Sequence, residues 1–329
     1  MPKNSENLVT VNIVTWQAEE YLPKLLTALL EQTYKKFSVL IIDNDSQDRT
    51  VSIIKENFPQ LNIIKNKTNI GFAKAHNQAI NWTKSKYVLC LNQDVVLEKN
   101  FIKECVEFME KNSDVSVING KILKWDTQKQ TPINKIDTAG LMVLKNHKVV
   151  DRGQSLPAEN KFIRSEEIFG ASGACPFFRR TSLEEVKINY EYFDEQFFSY
   201  KEDVDLAFRL RLAGCRAFYL PTAIAYHDRT SAPRTNKLRS NNLFINYHSY
   251  KNHFWVLTKN EFYINIVKYL PMIFIFELKK FFYLLFFCPK ALKSLKEIFK
   301  NRTKMMSKRK FIFKNIKKIS AKELRKWYV

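Results

Sequence analysis

The stretch FSVLIIDNDSQ, residues 37–47, carries the clearest indication of the fold. Its first seven residues are an apolar run of the length that a fully buried strand adopts. Strands that are apolar on both faces are typical of parallel sheets covered by helices. The run ends in Asp43, Asn44, Asp45 and Ser46, so the chain leaves this strand with a cluster of polar side chains.

The same strand pattern recurs three more times and alternates with helical patterns. Further strands are predicted at residues 9–14, 61–66 and 87–92, and helices at 22–30, around 53–54, at 72–82 and at 101–109. This alternation predicts an α/β fold with a mainly parallel sheet flanked by helices. Beyond Val115 the pattern turns to short strands and loops as far as His227, and from Arg234 onward it is helical and aromatic.

Charge is distributed unevenly along the chain of 329 residues, whose net charge is +21. Residues 290–329 hold fifteen Lys and Arg against two Glu, a net +13 that leaves +8 for the rest. The five cysteines form no CxxC or Cys/His pattern, which is typical of reduced thiols in an intracellular protein. The N-terminus lacks the features of a signal peptide, so we expect a cytoplasmic protein.

Residues 262–289 are strongly apolar, yet Lys268, Glu277, Lys279 and Lys280 interrupt them and Pro271 bends them. No stretch reaches the roughly 18 uncharged residues that a membrane-spanning helix needs. An apolar helix followed by a basic tail predicts a segment that lies in the membrane interface. The alternative is a helix that packs on the main domain and is followed by a solvated basic tail. We therefore predict a catalytic domain at residues 1–233 and a helical, amphipathic, basic and membrane-associating extension at residues 234–329.

Polar residues follow all four predicted strands, and ligands of open parallel sheets bind beyond these carboxyl ends. They are Thr15, then residues 43–46, then the stretch at 69–77, and finally residues 92–94. No GxGxxG or GxxxxGK[ST] motif is present, so a phosphate group must be held in another way. A divalent cation on Asp94 is the obvious candidate, because Mg²⁺ takes one or two carboxylates and completes its shell with phosphate oxygens and water.

The motifs VTWQAEEYL, LIIDNDSQDRT, NIGFAKAHNQAI, LCLNQDVVL, FGASGACPFFRR, YFDEQFFSYKEDVDLAFRLRLAG and AIAYH follow one another in residues 9–227. In order and spacing they resemble the family 2 glycosyltransferases, in particular the rhamnosyltransferase-like group. The resemblance implies a GT-A fold, which binds a nucleotide diphosphate sugar and transfers the sugar with inversion.

The resemblance also implies roles for individual residues. Those implied to contact the nucleotide sugar are Thr15, Glu19, Asp43, Asn44, Asn69, Gly71, Asn92, Gly173 and Glu202. Asp94 matches the last acid of the family's DxD-like motif, in which Asn92 here replaces the first acid, and His227 is a further candidate ligand of the metal or diphosphate. The implied cofactor is Mg²⁺ or Mn²⁺.

The run KEDVDL, residues 201–206, matches the family's E-D motif, whose Asp is the catalytic base that accepts the proton of the acceptor hydroxyl. Helical geometry distinguishes the candidates, because Asp205 lies about 200° around the helix from Asp203. Asp205 can pair with Arg209 one turn later, as an exposed i,i+4 pair. We therefore expect Asp203 to be the base.

The expected partners are a dTDP- or UDP-linked sugar, with rhamnose favoured, a glycan or lipid-linked acceptor in cell-surface polysaccharide synthesis, and an anionic membrane surface. The protein is then peripheral on the inner face of the membrane. A nucleotidyltransferase is the main alternative, but the loop TWQAEEYL is acidic and lacks glycine, unlike a triphosphate-binding loop. The second alternative is a basic protein that binds nucleic acid or membrane and has no catalytic activity. We expect no nucleic-acid partner, because most of the positive charge lies in residues 290–329, directly after the Phe-rich apolar segment at residues 262–289.

Overall fold

The computed structural model of the protein describes residues 8–126, 129, 131–158, 162–229 and 242–329. The strands are β1 (Val9–Thr15), β2 (Phe37–Asp43), β3 (Asn62–Lys65), β4 (Tyr87–Asn92), β5 (Val95–Leu97), β6 (Val115–Asp126), β7 (Thr131–Thr138), β8 (Leu141–Val143), β9 (Val149–Asp151), β10 (Glu166–Ile168), β11 (Phe177–Arg179) and β12 (Arg216–His227). The helices are α1 (Leu22–Leu30), α2 (Thr50–Asn57), α3 (Phe72–Trp82), α4 (Phe101–Lys111), α5 (Arg180–Val186), α6 (Glu202–Leu212), α7 (Leu243–Asn260), α8 (Tyr263–Phe287), α9 (Ser294–Lys300), α10 (Arg302–Phe311) and α11 (Ala321–Arg325).

Within the described residues, the strands form one ten-stranded sheet and a separate hairpin of β8 and β9. The order of the sheet is β10-β12-β6-β11-β4-β1-β2-β3, with β5 paired to β12 and β7 to β6. β3, β2, β1 and β4 are parallel neighbours. This confirms the four strands predicted from the sequence, although β3 is shorter than expected. β11 lies antiparallel between β4 and β6, and β12 is parallel to β6.

Helices cover both faces of this sheet. Along β4, Leu89 belongs to a core on one face, into which α1 and α4 pack, whereas Val88 belongs to the core on the other face. That second core includes Ile80 of α3 and Leu206 of α6. Because both faces of β4 are buried, the strand needs apolar residues at every position.

The C-terminal helices share this second core. Trp255 of α7, Met305 of α10 and Leu324 of α11 are buried in it. The end of the chain adds backbone hydrogen bonds, since the N–H of Val329 donates to the carbonyl of Val143 at 3.1 Å. The C-terminal extension therefore packs closely on the sheet domain. The predicted boundary between residues 233 and 234 lies outside the described residues.

A buried ion cluster fastens the extension to α6. The Nζ atom of Lys259 is 2.5 Å from Asp194 and 2.7 Å from Asp205. Lys308 of α10 lies 2.6 Å from Asp194, and the Asn260 amide donates to Asp205 at 2.8 Å. Lys308 belongs to the tail that the sequence indicates as basic, and both Lys308 and Lys259 are matched here by carboxylates in the interior.

Helix α8 presents an exposed apolar stripe. Its exposed large side chains include Ile264, Val267, Leu270, Phe274, Ile275, Leu278, Phe282 and Phe286. These positions recur every three or four residues, which places them on one side of a helix of about 37 Å. In the part of the chain that the structure describes, no helix has both the length and the apolar character needed to cross a membrane.

Candidate active site

A cleft of about 500 Å³ opens where β4 and β12 end, and the start of α6 and the β8–β9 hairpin complete its walls. This volume lies within the usual range of small-molecule sites. Six of the residues predicted from the sequence line it: Asn92, Asp94, Gly173, Glu202, Asp203 and His227. Residues far apart in the chain are brought together here because parallel strands deliver their carboxyl ends to one edge.

Four other predicted residues form a hydrogen-bonded row along the ends of β1 and β2. Thr15 Oγ1 donates to Asp43 Oδ1 at 3.2 Å, and the amide of Asn44 donates to the carbonyl of Gly71 at 3.3 Å. Thr15, Asp43 and Asn44 are almost completely buried. The row reaches the cleft at Gly71, since the next residue, Phe72, belongs to the cleft lining.

Gly71 is required by the local backbone and by its neighbour. Its φ of +84° lies in the left-handed region, and a Cβ atom would fall 2.6 Å from the Phe198 ring and 2.7 Å from the Phe198 carbonyl oxygen. The carboxamide oxygen of Asn69 accepts a hydrogen bond from the Gly71 N–H at 2.9 Å. Asn69 therefore shapes the turn that lets the two backbones approach.

Glu19 makes loop contacts. Its carboxylate accepts a hydrogen bond from the Arg49 N–H at 2.9 Å, and its own N–H donates to Asp48 at 3.1 Å. These bonds join the loop after β1 to the beginning of α2. Through them Glu19 fixes the loop that follows Thr15.

Asp94 and His227 lie next to each other in the cleft. His227 Nε2 is 3.3 Å from Asp94 Oδ1, and His227 Nδ1 is 2.8 Å from the fully buried Asp137. Burial alone would lower the pKa of His227, but the two carboxylates raise it to about 9. Arg229 Nε lies 2.7 Å from the other oxygen of Asp137, and a second nitrogen of Arg229 lies 2.7 Å from Asp151.

The carboxylate of Asp203 is held by two backbone N–H groups. Gly173 donates to Oδ2 and Val204 donates to Oδ1, each at 2.8 Å. Burial raises the pKa of Asp203, although these two hydrogen bonds oppose the shift. Asp203 is thus a fixed carboxylate, open to the cleft, with a proton affinity above that of an ordinary aspartate.

The neighbouring acids have different environments. Burial and the charge of Asp203 raise the pKa of Glu202 to about 8, so Glu202 is mainly protonated at neutral pH. Asp205 pairs with Arg209 at 3.1 Å, as its spacing predicts, but the expectation that this pair is exposed is wrong. Both side chains are fully buried, because α7 covers this side of α6 and adds Lys259 as a second cation.

The sequence of the chain matches known proteins over this same region. Residues 10–187, more than half of the chain, match the family profile described as glycosyl transferase family 2. The chain belongs to glycosyl transferase family 2. The resemblance drawn from the motifs is therefore confirmed at the level of the family.

Three comparisons show which known proteins the chain is similar to. An N-acetylglucosaminyl-diphospho-decaprenol L-rhamnosyltransferase of Mycobacterium tuberculosis is 25% identical over 242 residues, 68% of this chain and 76% of the relative. Staphylococcus aureus TarS 1-349 in complex with UDP-GlcNAc superposes with a TM-score of 0.57 at 18% identity, over 94% of this chain and 89% of the other. The mannosyltransferase PcManGT of Pyrobaculum calidifontis, in complex with GDP-Man and Mn²⁺, superposes with a TM-score of 0.56 at 16% identity. This superposition covers 93% of this chain and 85% of the other.

These structural similarities establish that the chain shares its fold with TarS and the mannosyltransferase. The chain spans less than half the length of the first curated relatives it matches, with shares of 40%, 45% and 37%.

The side chains around His227 fit a divalent cation bound together with a diphosphate. Asp94 supplies one carboxylate oxygen, and Asp137 holds the imidazole with Nε2 towards Asp94, an arrangement usual for metal-bound histidines. Among the described residues, no group of three or more His, Cys, Asp or Glu is arranged to hold a metal ion. The protein thus offers two ligands, and phosphate oxygens and water would complete the shell. Because the raised pKa keeps His227 protonated in the metal-free protein, a bound cation would have to displace the Nε2 proton.

Sequence reasoning missed several residues of this cleft. Asp137 and Arg229 complete the environment of His227, and Lys148, Asp151 and Lys201 also line the walls. Asp137 and Asp151 lie in the irregular part of the sequence, where no periodic pattern singles them out. Arg229 had a local signal, since it lies two residues beyond His227 at the same strand end.

Proposed function

We propose that the chain is an inverting glycosyltransferase that moves a sugar from a nucleotide diphosphate to an acceptor hydroxyl. The observation that carries this proposal is that one cleft holds both the backbone-bound carboxylate of Asp203 and the pair formed by Asp94 and His227. The carboxylate of Asp203 suits a catalytic base, and the pair of Asp94 and His227 suits the binding of a cation and a diphosphate. Membership of family 2 favours this function over a nucleotidyltransferase or a non-catalytic binding protein.

In the proposed reaction the acceptor oxygen attacks the anomeric carbon on the face opposite the diphosphate. A carbon–oxygen bond to the acceptor forms as the bond to the diphosphate oxygen breaks, so the configuration inverts. Asp203 accepts the hydroxyl proton, and its raised pKa makes it a stronger base than an ordinary aspartate. The N–H groups of Gly173 and Val204 keep its carboxylate oriented, and protonated Glu202 can donate a hydrogen bond to the donor sugar.

The residues that would hold Mg²⁺ or Mn²⁺ are Asp94 and His227, with Asp137 keeping the imidazole oriented. The chemistry supplied by such a cation is neutralisation of charge on the departing diphosphate. The presence of Mn²⁺ beside GDP-Man in the mannosyltransferase structure supports this assignment. Asn92 stands in place of a second carboxylate. We propose that the side-chain amide of Asn92 contacts the diphosphate or the sugar.

We propose that the nucleotide lies along the row formed by Thr15, Asp43, Asn44 and the turn from Asn69 to Gly71, above the loop fixed by Glu19. UDP-GlcNAc in the TarS structure supports a UDP-linked donor. The mycobacterial relative is an L-rhamnosyltransferase, which keeps rhamnose from dTDP-rhamnose as the favoured alternative. That relative's name, which contains a decaprenol-linked sugar, also supports a lipid-linked acceptor. We propose that this acceptor belongs to the synthesis of cell-surface polysaccharides.

We propose further that α8 lies on the inner face of the cell membrane. Its exposed apolar stripe faces away from the core, and Lys279, Lys290, Lys293 and Lys296 are exposed on or just beyond the helix. Apolar side chains with neighbouring cations are typical of helices that bind anionic lipid surfaces. The same cations would repel a second copy of the chain.

Vesicle sedimentation tests the membrane proposal. We expect the protein to pellet with vesicles containing anionic lipid, and to remain partly bound in high salt because of the apolar contacts. Val267→Glu with Phe274→Glu on the stripe should abolish binding, whereas Lys322→Gln on α11 should bind normally. Equal sedimentation of the stripe variant and the wild type would contradict the proposal.

Donor binding tests the proposed enzyme function. We expect UDP-, dTDP- or GDP-linked sugars to raise the melting temperature in the presence of Mn²⁺, since a ligand at 100 times its Kd stabilises the native state by about 2.7 kcal/mol. The nucleotide that gives the largest shift identifies the donor class. The absence of a shift with every nucleotide sugar would contradict the proposed function.

A further inference from the structure

We propose that Asn252 on α7 is a positioning residue for the transfer reaction. It holds the turn at residues 197–201 in the conformation that places the carboxylate of Asp203 in the cleft. This role presupposes the proposed function, in which Asp203 is the base. Because Asn252 is completely buried, it acts on the reaction through the turn and not by touching the substrate.

The turn that precedes α6 has a backbone conformation that few side chains adopt. Phe198 has φ +64° and ψ −63°, and the N–H of Ser199 donates to the carbonyl of Phe197 at 2.7 Å, which defines a γ-turn of the rare, strained form. Tyr200 and Lys201 follow with φ of +68° and +65°. Residues other than glycine are unfavourable in this region. Such a backbone persists only where the surrounding structure holds it.

Asn252 supplies this support from α7. Its side-chain nitrogen donates to the carbonyl oxygens of Phe197 and Ser199, each at 3.0 Å, and of Tyr200 at 2.7 Å. Only a donor fits among three carbonyl oxygens, since the carboxamide oxygen would be repelled there. The amide of Asn252 therefore fixes the path of the backbone from Phe197 to Tyr200.

The same turn connects the proposed donor site to α6. On one side, Phe198 lies so close to Gly71 that no Cβ atom would fit between them. On the other side, the carbonyl of Lys201 accepts the N–H of Asp205 at 3.0 Å, which is the first backbone hydrogen bond of α6. Asp203 lies within this first turn of the helix, so a change in the path of residues 197–201 is transmitted directly to Asp203.

The two sides of the turn differ in how firmly they are held. Gly71 keeps hydrogen bonds of its own, because its N–H donates to Asn69 at 2.9 Å and its carbonyl accepts from Asn44 at 3.3 Å. For attachment outside α6, the carboxylate of Asp203 uses the N–H of Gly173, at 2.8 Å. A relaxed turn should therefore displace the base while donor binding stays nearly unchanged.

Helix α7 has further attachments to the domain besides Asn252. Trp255 is buried in the core that α6 also joins, and Lys259 lies 2.7 Å from Asp205. The Asn260 amide donates to the same carboxylate at 2.8 Å. A variant at Asn252 should therefore fold with α7 in place, so that its effect on the site can be measured separately from folding.

Hydrolysis of a nucleotide sugar, with water as the acceptor, provides the assay. The donor is the nucleotide sugar that gives the largest melting-temperature shift. Water attacks the anomeric carbon, the bond to the diphosphate oxygen breaks, and Asp203 accepts the proton. The rate at which the nucleotide diphosphate is released at saturating donor therefore reports on the base.

Asn252→Leu keeps the approximate size of the side chain and removes its N–H donors. We expect kcat to fall at least about tenfold, since a misplacement of about 1 Å can cost about 10²-fold in rate. The Kd of the donor, measured by calorimetry, should stay within about threefold of the wild-type value. Asn252→Ala removes the same donors without adding an apolar branch, and should reproduce the loss of kcat if leucine disturbs the packing.

Asn246→Leu is the matched control. Asn246 is also buried on α7, and its side chain accepts a hydrogen bond from Lys280 of α8 at 3.2 Å. The same substitution at this position should lower stability but keep the wild-type kcat.

A double-mutant cycle distinguishes positioning of the base from a general weakening of the fold. In an Asp203→Asn background, Asn252→Leu should cause no further loss of kcat, because no base remains to be positioned. A merely structural role would lower kcat by the same factor in both backgrounds.

Wild-type kcat in both Asn252→Leu and Asn252→Ala would overturn the inference. An equal loss of kcat in the Asp203→Asn background, or in the control Asn246→Leu, would also overturn it. In each of these cases the wild type still hydrolyses or transfers a nucleotide sugar, so the proposed function stands. A wild type that uses no nucleotide sugar contradicts the proposed function, and both proposals fall.

Discussion

Lys259→Met tests whether the C-terminal extension is structurally part of the catalytic unit. Lys259 is completely buried, 2.5 Å from Asp194 and 2.7 Å from Asp205. Methionine has a similar volume but no charge, so the variant leaves two carboxylates in the interior without their shared cation. Asp205 is two residues from Asp203, so the change also loosens the helix start that positions the proposed base.

The size of the effect follows from the remaining partners. Removing one member of a buried ion pair typically costs about 3–5 kcal/mol. Arg209 still pairs with Asp205, and Lys308 still pairs with Asp194, so we expect a free-energy loss near 3 kcal/mol, the lower end of that range. With an unfolding entropy of about 2.1 cal/mol/K per residue, a chain of 329 residues should then melt about 4 °C lower.

Urea unfolding at pH 7 measures this loss, with Lys304→Met as the matched control. Lys304 is exposed on α10, and its replacement should change the free energy of unfolding by less than about 0.5 kcal/mol. Adding Asp194→Asn to Lys259→Met should recover part of the stability, because it removes a buried carboxylate that has lost one of its two cations, while Lys308 keeps Glu191 as a partner. A Lys259→Met protein as stable as the control would refute this explanation of how the extension is attached.

Three further predictions concern the site and its support. Asp94→Asn should weaken donor binding in the presence of Mn²⁺ at least about tenfold, as measured by calorimetry; full wild-type activity in excess EDTA would contradict the role of Asp94. Burial alone would raise the pKa of Asp194, but Lys259 and Lys308 lower it; its stabilising contribution is therefore present above about pH 4 and lost as the pH falls further. Urea titrations between pH 5 and 3 should show a shallower loss for Asp194→Asn than for the wild type, and parallel curves would exclude this contribution. Gly71→Ala should destabilise the fold by about 1–3 kcal/mol through the strained φ and the contact with Phe198; an unchanged melting temperature would show that the turn can relax.

The strands in the first half of the chain could be predicted, because each one is encoded by a short apolar run in its own sequence. The apolar run at residues 37–43 and its three counterparts define the parallel strands, and the polar residues at their ends define the edge where the cleft lies. The pairing of Asp205 with Arg209 also follows from helical spacing alone.

The rest depends on contacts that no local pattern reveals. Lys259 and Lys308 have the appearance of surface cations in the sequence, but their carboxylate partners lie 54 to 117 positions away in the chain. Asp137 meets His227 over a separation of 90 residues. A sequence pattern shows which residues can be buried or charged, whereas the match between distant charges emerges only when the helices pack.

The proposed role of Asp203 is tested most directly by the transfer rate of Asp203→Asn at saturating donor, with folding verified for each variant. Asparagine keeps the shape and can stay near Gly173 and Val204, but it cannot accept the acceptor proton. We predict a rate about 10²–10⁴-fold below that of the wild type, with donor affinity nearly unchanged. Asp205→Asn should lower stability yet retain turnover in the folded enzyme. Wild-type turnover by Asp203→Asn, or a folded but inactive Asp205→Asn, would contradict the assignment of the base.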